Sequence, residues 1–306
     1  MTLRETVPAA LEGERVDRVV ALLTGRPRAE VAELVTAGAV RLGGHAVTTR
    51  STRVTEGDDL EVELPPDDPN AGVVQPEVEV DVTVLYADDD VLVVDKSPEL
   101  VVHPGAGNAR GTLVAGLVAR YPDMAGVGEP GRPGIVHRLD KGTSGLLVAA
   151  RTQEAYESLV AQLSARTVER RYTALVWGHP TPPQGMIDAP LGRSRRDPTR
   201  MAVSASGREA RTSYGVERTF VEPVEVALLS CTLETGRTHQ IRVHLAAIDH
   251  PIVGDPRYRG ARRTFPAPRT FLHAGRLSFD HPRTDARVTF ESPLPEDLSS
   301  LLDLLA

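Results

Sequence analysis

The chain has 306 residues, 41% hydrophobic and 25% charged, with 26 glycines and 24 prolines spread along it; this is material for about two packed domains and excludes collagen-like, coiled-coil and wholly disordered chains. A single cysteine, Cys231, can form neither an internal disulfide nor a cysteine zinc cage, which points to a reducing compartment. The net charge of -7 argues against a nucleic-acid partner until its distribution is read: residues 1–100 hold 9 Lys and Arg against 21 Asp and Glu, whereas residues 101–306 hold 26 against 21.

In chain order, Met1–Glu14 lacks the basic start and apolar run of a secretory signal, and no apolar run approaches the length that crosses a bilayer. A soluble cytoplasmic protein without a membrane partner is expected. Helices are predicted over Arg15–Leu23 and Arg28–Ala37, the second with Val31, Leu34 and Val35 on one stripe and Gly38 as its stop. Val40–Leu42, the Gly43-Gly44 turn and His45–Thr48 read as a hairpin, and Leu60–Leu64 alternates apolar with acidic until Pro65-Pro66. Helix, helix, hairpin and strand make a small α/β module over residues 1–66. It resembles the small RNA-binding domain first known from a ribosomal small-subunit protein. Seven arginines oppose ten acids between Glu12 and Glu63, so RNA would be met by one face; the alternative is an acidic domain that packs or recruits a protein.

The Pro, Asp, Asn and Gly of Pro65–Pro76 predict a linker, assigned to residues 67–79, ahead of a second domain at 80–306. There, strands are predicted at Val91–Asp95, Val136–Leu139, Leu146–Ala150, Arg171–Trp177 and Glu225–Glu234, and helices at Leu113–Arg120, Glu154–Ala165 and His239–Ile248. Many strands with few crossover helices favour an α+β sheet over a doubly wound one. Two arginine sets stand out: Arg193, Arg195, Arg196, Arg200, Arg208 and Arg211, then Arg257, Arg259, Arg262, Arg263, Arg269 and Arg276. Such clusters suit a phosphate-contacting surface or, equally, a solvated face.

Two segments can carry chemistry. Val136–Leu147 places His137, Arg138, Asp140 and Lys141 before a Gly/Ser/Thr turn, where Asp140 can face a cleft while Leu139 and Leu146 stay in the core; a structural ion pair is the plain alternative. Leu233–Leu245 turns at Thr235-Gly236, Thr238 is positioned to cap the next helix, and Arg242 lies in its first turns. If that helix packs beside the Asp140 loop, Arg242 can meet the carboxylate and hold it ionised. Gly126–Gly131 matches a dinucleotide pattern formally, but no strand precedes it and Pro130 and Pro133 interrupt it. His239 and His244 are five apart, on different sides of a helix, so no metal site is expected.

Taken together, His137–Leu147, Arg171–Val176 and Gly236–Leu245, with His250–Asp255 and Leu272–Ala274, resemble the motifs of the large-subunit ribosomal pseudouridine synthase family, in order, over Val80–Phe290. The resemblance implies a pseudouridine synthase fold with a mixed, mostly antiparallel central sheet, and isomerisation of uridine in RNA without cofactor or metal. It makes Asp140 the essential aspartate, Arg242 its basic partner and Tyr172 the aromatic that stacks on the target base. Arg138 and His137 beside the aspartate, Arg237 and His239 in the third motif, and Leu272 as an apolar wall are the expected substrate contacts. Large-subunit ribosomal RNA is the expected substrate and a monomer the default state. Transfer RNA is the nearest alternative; a non-catalytic ribosome-assembly factor is another, and a glycoside hydrolase would need a second acid near Asp140.

Overall fold

The coordinates are a computed structural model describing residues 2–26, 28–65, 73–105 and 107–306. The chain divides into two units, Met1–Ala71 and Gly72–Ala306.

In the first unit, β1 (Thr2–Thr6), α1 (Val16–Thr24), α2 (Arg28–Thr36), β2 (Val40–Leu42), β3 (His45–Ala46) and β4 (Asp59–Glu63) follow the predicted order apart from β1. The polar edge strand Thr-Leu-Arg-Glu-Thr buries no residue and so gives no apolar signal. The antiparallel sheet runs β1-β4-β2-β3. Gly43 and Gly44 both have positive φ, at 55° and 79°, as a two-residue turn that matches strand twist demands. Val16, Val19 and Val20 from α1 and Val31 and Val35 from α2 close a core with Val40, Leu60 and Val62 from the sheet.

The second unit comprises β5 (Thr83–Ala87), β6 (Val91–Lys96), α3 (Leu113–Arg120), β7 (Ser144–Ala150), α4 (Gln153–Ala165), β8 (Glu169–Trp177), β9 (Gln184–Asp188), β10 (Leu191–Arg193), β11 (Met201–Val203), β12 (Arg211–Phe220), β13 (Val226–Leu233), α5 (Gln240–Ala247), β14 (Leu272–Asp280), β15 (Arg287–Glu291) and α6 (Glu296–Leu302). Its sheet is ordered β5-β6-β7-β14-β8-β13-β12-β9, with β15 also on β14 and β10-β11 a separate hairpin. Among the described strands only β7 and β14 run parallel; the other pairs are antiparallel, so the α+β architecture is mixed and mostly antiparallel. Thr112 caps α3 and Thr152 caps α4, each accepting the N–H three residues on. Residues 67–72 of the expected linker lie outside the described residues. From Val74 the chain already packs on the second unit: Val74 joins its core, and Glu77 accepts from Gly111 N–H at 2.7 Å.

One predicted strand is absent. Val136–Leu139 leaves the sheet after a single bridge, Ile135 to Ala149. His137 then substitutes for the next backbone partner, its Nε2 accepting from Val148 N–H at 3.1 Å. The segment thereby leaves the sheet on its way to the turn that carries Asp140.

Candidate active site

The Asp140 turn is fixed from three sides. Its own carbonyl accepts Thr143 N–H at 3.1 Å, and Gly142 N–H donates to Pro98 O at 2.7 Å. Arg269 spans the turn, Nη1 to Gly142 O at 3.1 Å and Nη2 to Ser144 Oγ at 3.0 Å, and is itself paired with Asp297. Leu139 stays buried while the Asp140 side chain keeps 15% exposure.

Helix α5 supplies the opposing charge. Thr238 does not cap it: the cap position is His239, at φ 57° with no side-chain capping bond. Gln240 holds the helix start instead, its Oε1 accepting from Thr235 Oγ1 at 2.7 Å and Arg237 N–H at 3.0 Å while its Nε2 donates to Arg211 O. Fixing the helix this way aims Arg242 inward, where Nη1 donates to Asp140 Oδ2 at 3.1 Å. Nε and Nη2 donate to Asp255, at 2.7 and 3.0 Å. Burial disfavours the Arg242 charge, but the Asp255 hydrogen bonds and both carboxylates outweigh it and raise its pKa above that of a free arginine. Asp255 carries no signal of this role in the sequence beyond its position after the Val253-Gly254 pair in a long match, since its Arg242 partner lies 13 residues away.

Both groups open on a cavity of about 580 Å³ whose wall also includes His137, Arg138, Tyr172, Arg237, His239 and Leu272. The expected site residues therefore share one cleft, in different ways. Tyr172 stands on β8 on the same face as Ala174, which pairs with Leu272 on β14. Burial pushes its hydroxyl up to about 12. His137 is held neutral, burial driving its pKa down to about 3, so it is a wall without charge. His239 Nδ1 meets Tyr258 Oη at 2.8 Å and its Nε2 lies 3.9 Å from Asp140 Oδ2; burial lowers its pKa more than Asp140 restores it. Arg138 is exposed at the rim, and Arg237 leans on Glu209 O at 3.0 Å.

Two features escaped the sequence reading. Lys96 is buried within reach of the Asp140 charge, donating to Ser97 O and Leu100 O at 2.7 and 2.8 Å, its pKa pushed down to about 7 by burial against a raising influence from Asp140. Among the arginine sets, several members are structural: Arg211 pairs with Asp188, Arg276 with Glu291, and Arg269 with Asp297. Arg208 reaches the cavity, and Arg195, Arg196 and Arg263 are exposed.

The sheet carrying this cleft has the fold of pseudouridine synthases. The human protein RNA pseudouridylate synthase domain containing 1 superposes with TM-score 0.58 at 28% identity, over 76% of this chain and 91% of that one. Residues 90–247 match the RNA pseudouridylate synthase family and residues 14–60 the S4 domain. An RNA pseudouridine synthase of Bacillus subtilis is 44% identical over 295 residues, covering 96% of this chain and 95% of that protein. The ribosomal large subunit pseudouridine synthase D of Xanthomonas campestris is 42% identical over 318 residues, covering 99% of this chain and 93% of its own. The chain belongs to the RNA pseudouridine synthase family, with an S4 domain ahead of the catalytic domain.

Proposed function

We propose that this RNA pseudouridine synthase acts in the cytoplasm on large-subunit ribosomal RNA, with Asp140 as its reacting carboxylate, Arg242 as the cation that steadies it and Tyr172 as the platform for the target base. The observation that carries the reading is the 3.1 Å bond from Arg242 to an Asp140 side chain that still opens on the cavity.

Isomerisation breaks the bond from ribose C1′ to uracil N1 and forms one from C1′ to C5; one proton leaves C5 and one arrives at N1. No electrons are gained or lost, so no cofactor is called for. Asp140 Oδ1 makes no hydrogen bond among the described residues and is available to attack C1′ or to take the C2′ proton. Both routes need the carboxylate held in one orientation, which the bond from Arg242 does. The base must leave its helix to reach this floor, and stacking on Tyr172 returns about 1 to 3 kcal/mol of that cost. Leu272 faces it from β14. Arg138 and Arg237 at the wall suit adjacent phosphates, and His239 and His137 shape the pocket.

The large-subunit assignment is supported by the names of relatives aligned over nearly the whole chain, and the S4 domain supports RNA as the partner. The test is to map pseudouridines in ribosomal and transfer RNA from cells with and without the gene. Sites lost from large-subunit RNA and restored by the wild-type gene are expected. Loss confined to transfer RNA would reassign the substrate, and an unchanged map would refute the function.

A further inference from the structure

Arg170, two residues before Tyr172 on β8, is 6% exposed and lines the same cavity. Among the described residues it has no carboxylate partner, in contrast to Arg242, Arg166 and Arg132 in the same wall. Only its Nη2 is engaged, by two long bonds to the carbonyls of Leu233 and Glu234 at 3.3 and 3.4 Å. Its Nε is buried with no hydrogen-bond partner. Room for the group is specific: a Cβ on Gly236 would stand 2.9 Å from Arg170 Nη1. A buried guanidinium with donors to spare and no counter-charge is costly unless something anionic arrives to meet it. The residues flanking it give the place where that happens, next to the base platform and deeper than the rim arginines that phosphates can reach.

We propose, building on the isomerase reading above, that Arg170 binds the detached uracil as an anion. When the C1′–N1 bond breaks, its electron pair leaves on N1 and spreads to O2 and O4. The deficit at C1′ is filled by an Asp140 oxygen, or by the C2′–H pair if Asp140 takes that proton. The free N–H groups of Arg170 donate to the uracil oxygen that has become negative. When C5 then bonds to C1′, Asp140 departs or the C2′ proton returns, the C5 proton is lost and N1 is protonated, so the charge that Arg170 met is gone. An interaction present only between the two bonds lowers the barrier without tightening RNA binding.

Single-turnover rates and RNA dissociation constants of wild type, Arg170→Met and Arg170→Lys test this on one RNA bearing either uridine or 5-fluorouridine at the target, with loss of the starting nucleoside read by digestion and mass spectrometry. Fluorine at C5 stabilises the uracil anion and reduces its need for a cation. Arg170→Met is expected to slow the uridine RNA about 100-fold with dissociation constants within about two-fold, to slow the 5-fluorouridine RNA about ten-fold less, and Arg170→Lys to recover part of the rate. Gly236→Ala, which displaces the guanidinium and keeps its charge, should show the same substrate-dependent loss and carries the comparison if the Met variant does not fold. Equal losses on both RNAs, or a loss explained by weaker binding, would overturn the role of Arg170 while leaving the isomerase intact. Wild-type protein that transforms neither RNA would refute the isomerase reading itself.

Discussion

Asp255 grips Arg242 with both of its oxygens, Oδ2 on Nε at 2.7 Å and Oδ1 on Nη2 at 3.0 Å, leaving Nη1 for Asp140. Asp255 is fully buried, and its Oδ1 also accepts the N–H groups of Arg257 and Tyr258. The Asp140 carboxylate is thus aimed by a guanidinium that is itself aimed by a second carboxylate, three groups drawn from three loops or helices. The forked arrangement fixes the plane of the guanidinium, which a single contact to Asp140 would not do.

Asp255→Asn replaces a paired buried charge with an amide that cannot match both donors. Leaving Arg242 partly uncompensated should cost on the order of 3 kcal/mol of stability and slow single-turnover isomerisation far more than it weakens RNA binding. Urea midpoints and rapid-quench rates measure the two. A variant as fast as wild type would mean that Asp140 orients Arg242, and not the reverse.

Tyr172→Phe keeps the ring on the same β8 face and should retain activity within a few-fold. Tyr172→Ala removes the platform, and a loss of about 1 to 3 kcal/mol of stacking predicts a fall of up to about 100-fold. Steady-state kinetics with a ribosomal RNA fragment distinguish them. Equal losses for both would move the contribution from the ring to the hydroxyl.

Lys96 gives a pH signature. Its pKa falls from 10.5 in an ordinary chain to about 7 when folded, so between those values the unfolded chain holds a proton that the folded one does not. Stability from this group therefore rises with pH through that window, by at most about 1.4 kcal/mol per pH unit. The stability of wild type relative to Lys96→Met should grow from pH 7 to pH 9.5 in urea titrations. A constant difference would show that the buried ammonium keeps its proton throughout.

Gly145 sits at φ 110° where β7 meets β14, and a Cβ there would lie 2.3 Å from Ala274 O. Gly145→Ala should lower stability by several kcal/mol through backbone strain and the parted strands, seen as a reduced melting temperature. Its melting with wild type would contradict the close approach.

Much of this architecture was legible in the chain. The helices α1 to α5 appear within one or two residues of their predicted ends, because each carries an apolar stripe bounded by a threonine cap, a glycine or a proline. Strands with an exposed or polar face were not: β12 reads Arg-Thr-Ser-Tyr-Gly-Val-Glu-Arg-Thr-Phe, and β14 is interrupted by Gly275, so neither shows a clean alternation. Val136–Leu139 has aliphatic residues at both ends, as a short strand would, and is not one, because the His137 ring takes over the hydrogen bond a strand would make. The meeting of Asp140 with Arg242 depended on 102 residues of intervening chain folding back, which spacing alone leaves open and the full motif set makes expected. Asp255, Lys96 and Arg170 were invisible as site residues for a common reason: each matters through burial and through which partner it has or lacks, and neither is written in residue order.

The most direct measurement is single-turnover conversion of uridine to pseudouridine in a large-subunit RNA fragment by Asp140→Asn, beside the dissociation constant of the same RNA. Asparagine keeps the shape and an acceptor for Arg242 but neither attacks C1′ nor takes a proton, so conversion should be abolished with binding held within a few-fold. Conversion by Asp140→Asn at the wild-type rate would contradict the account at its root.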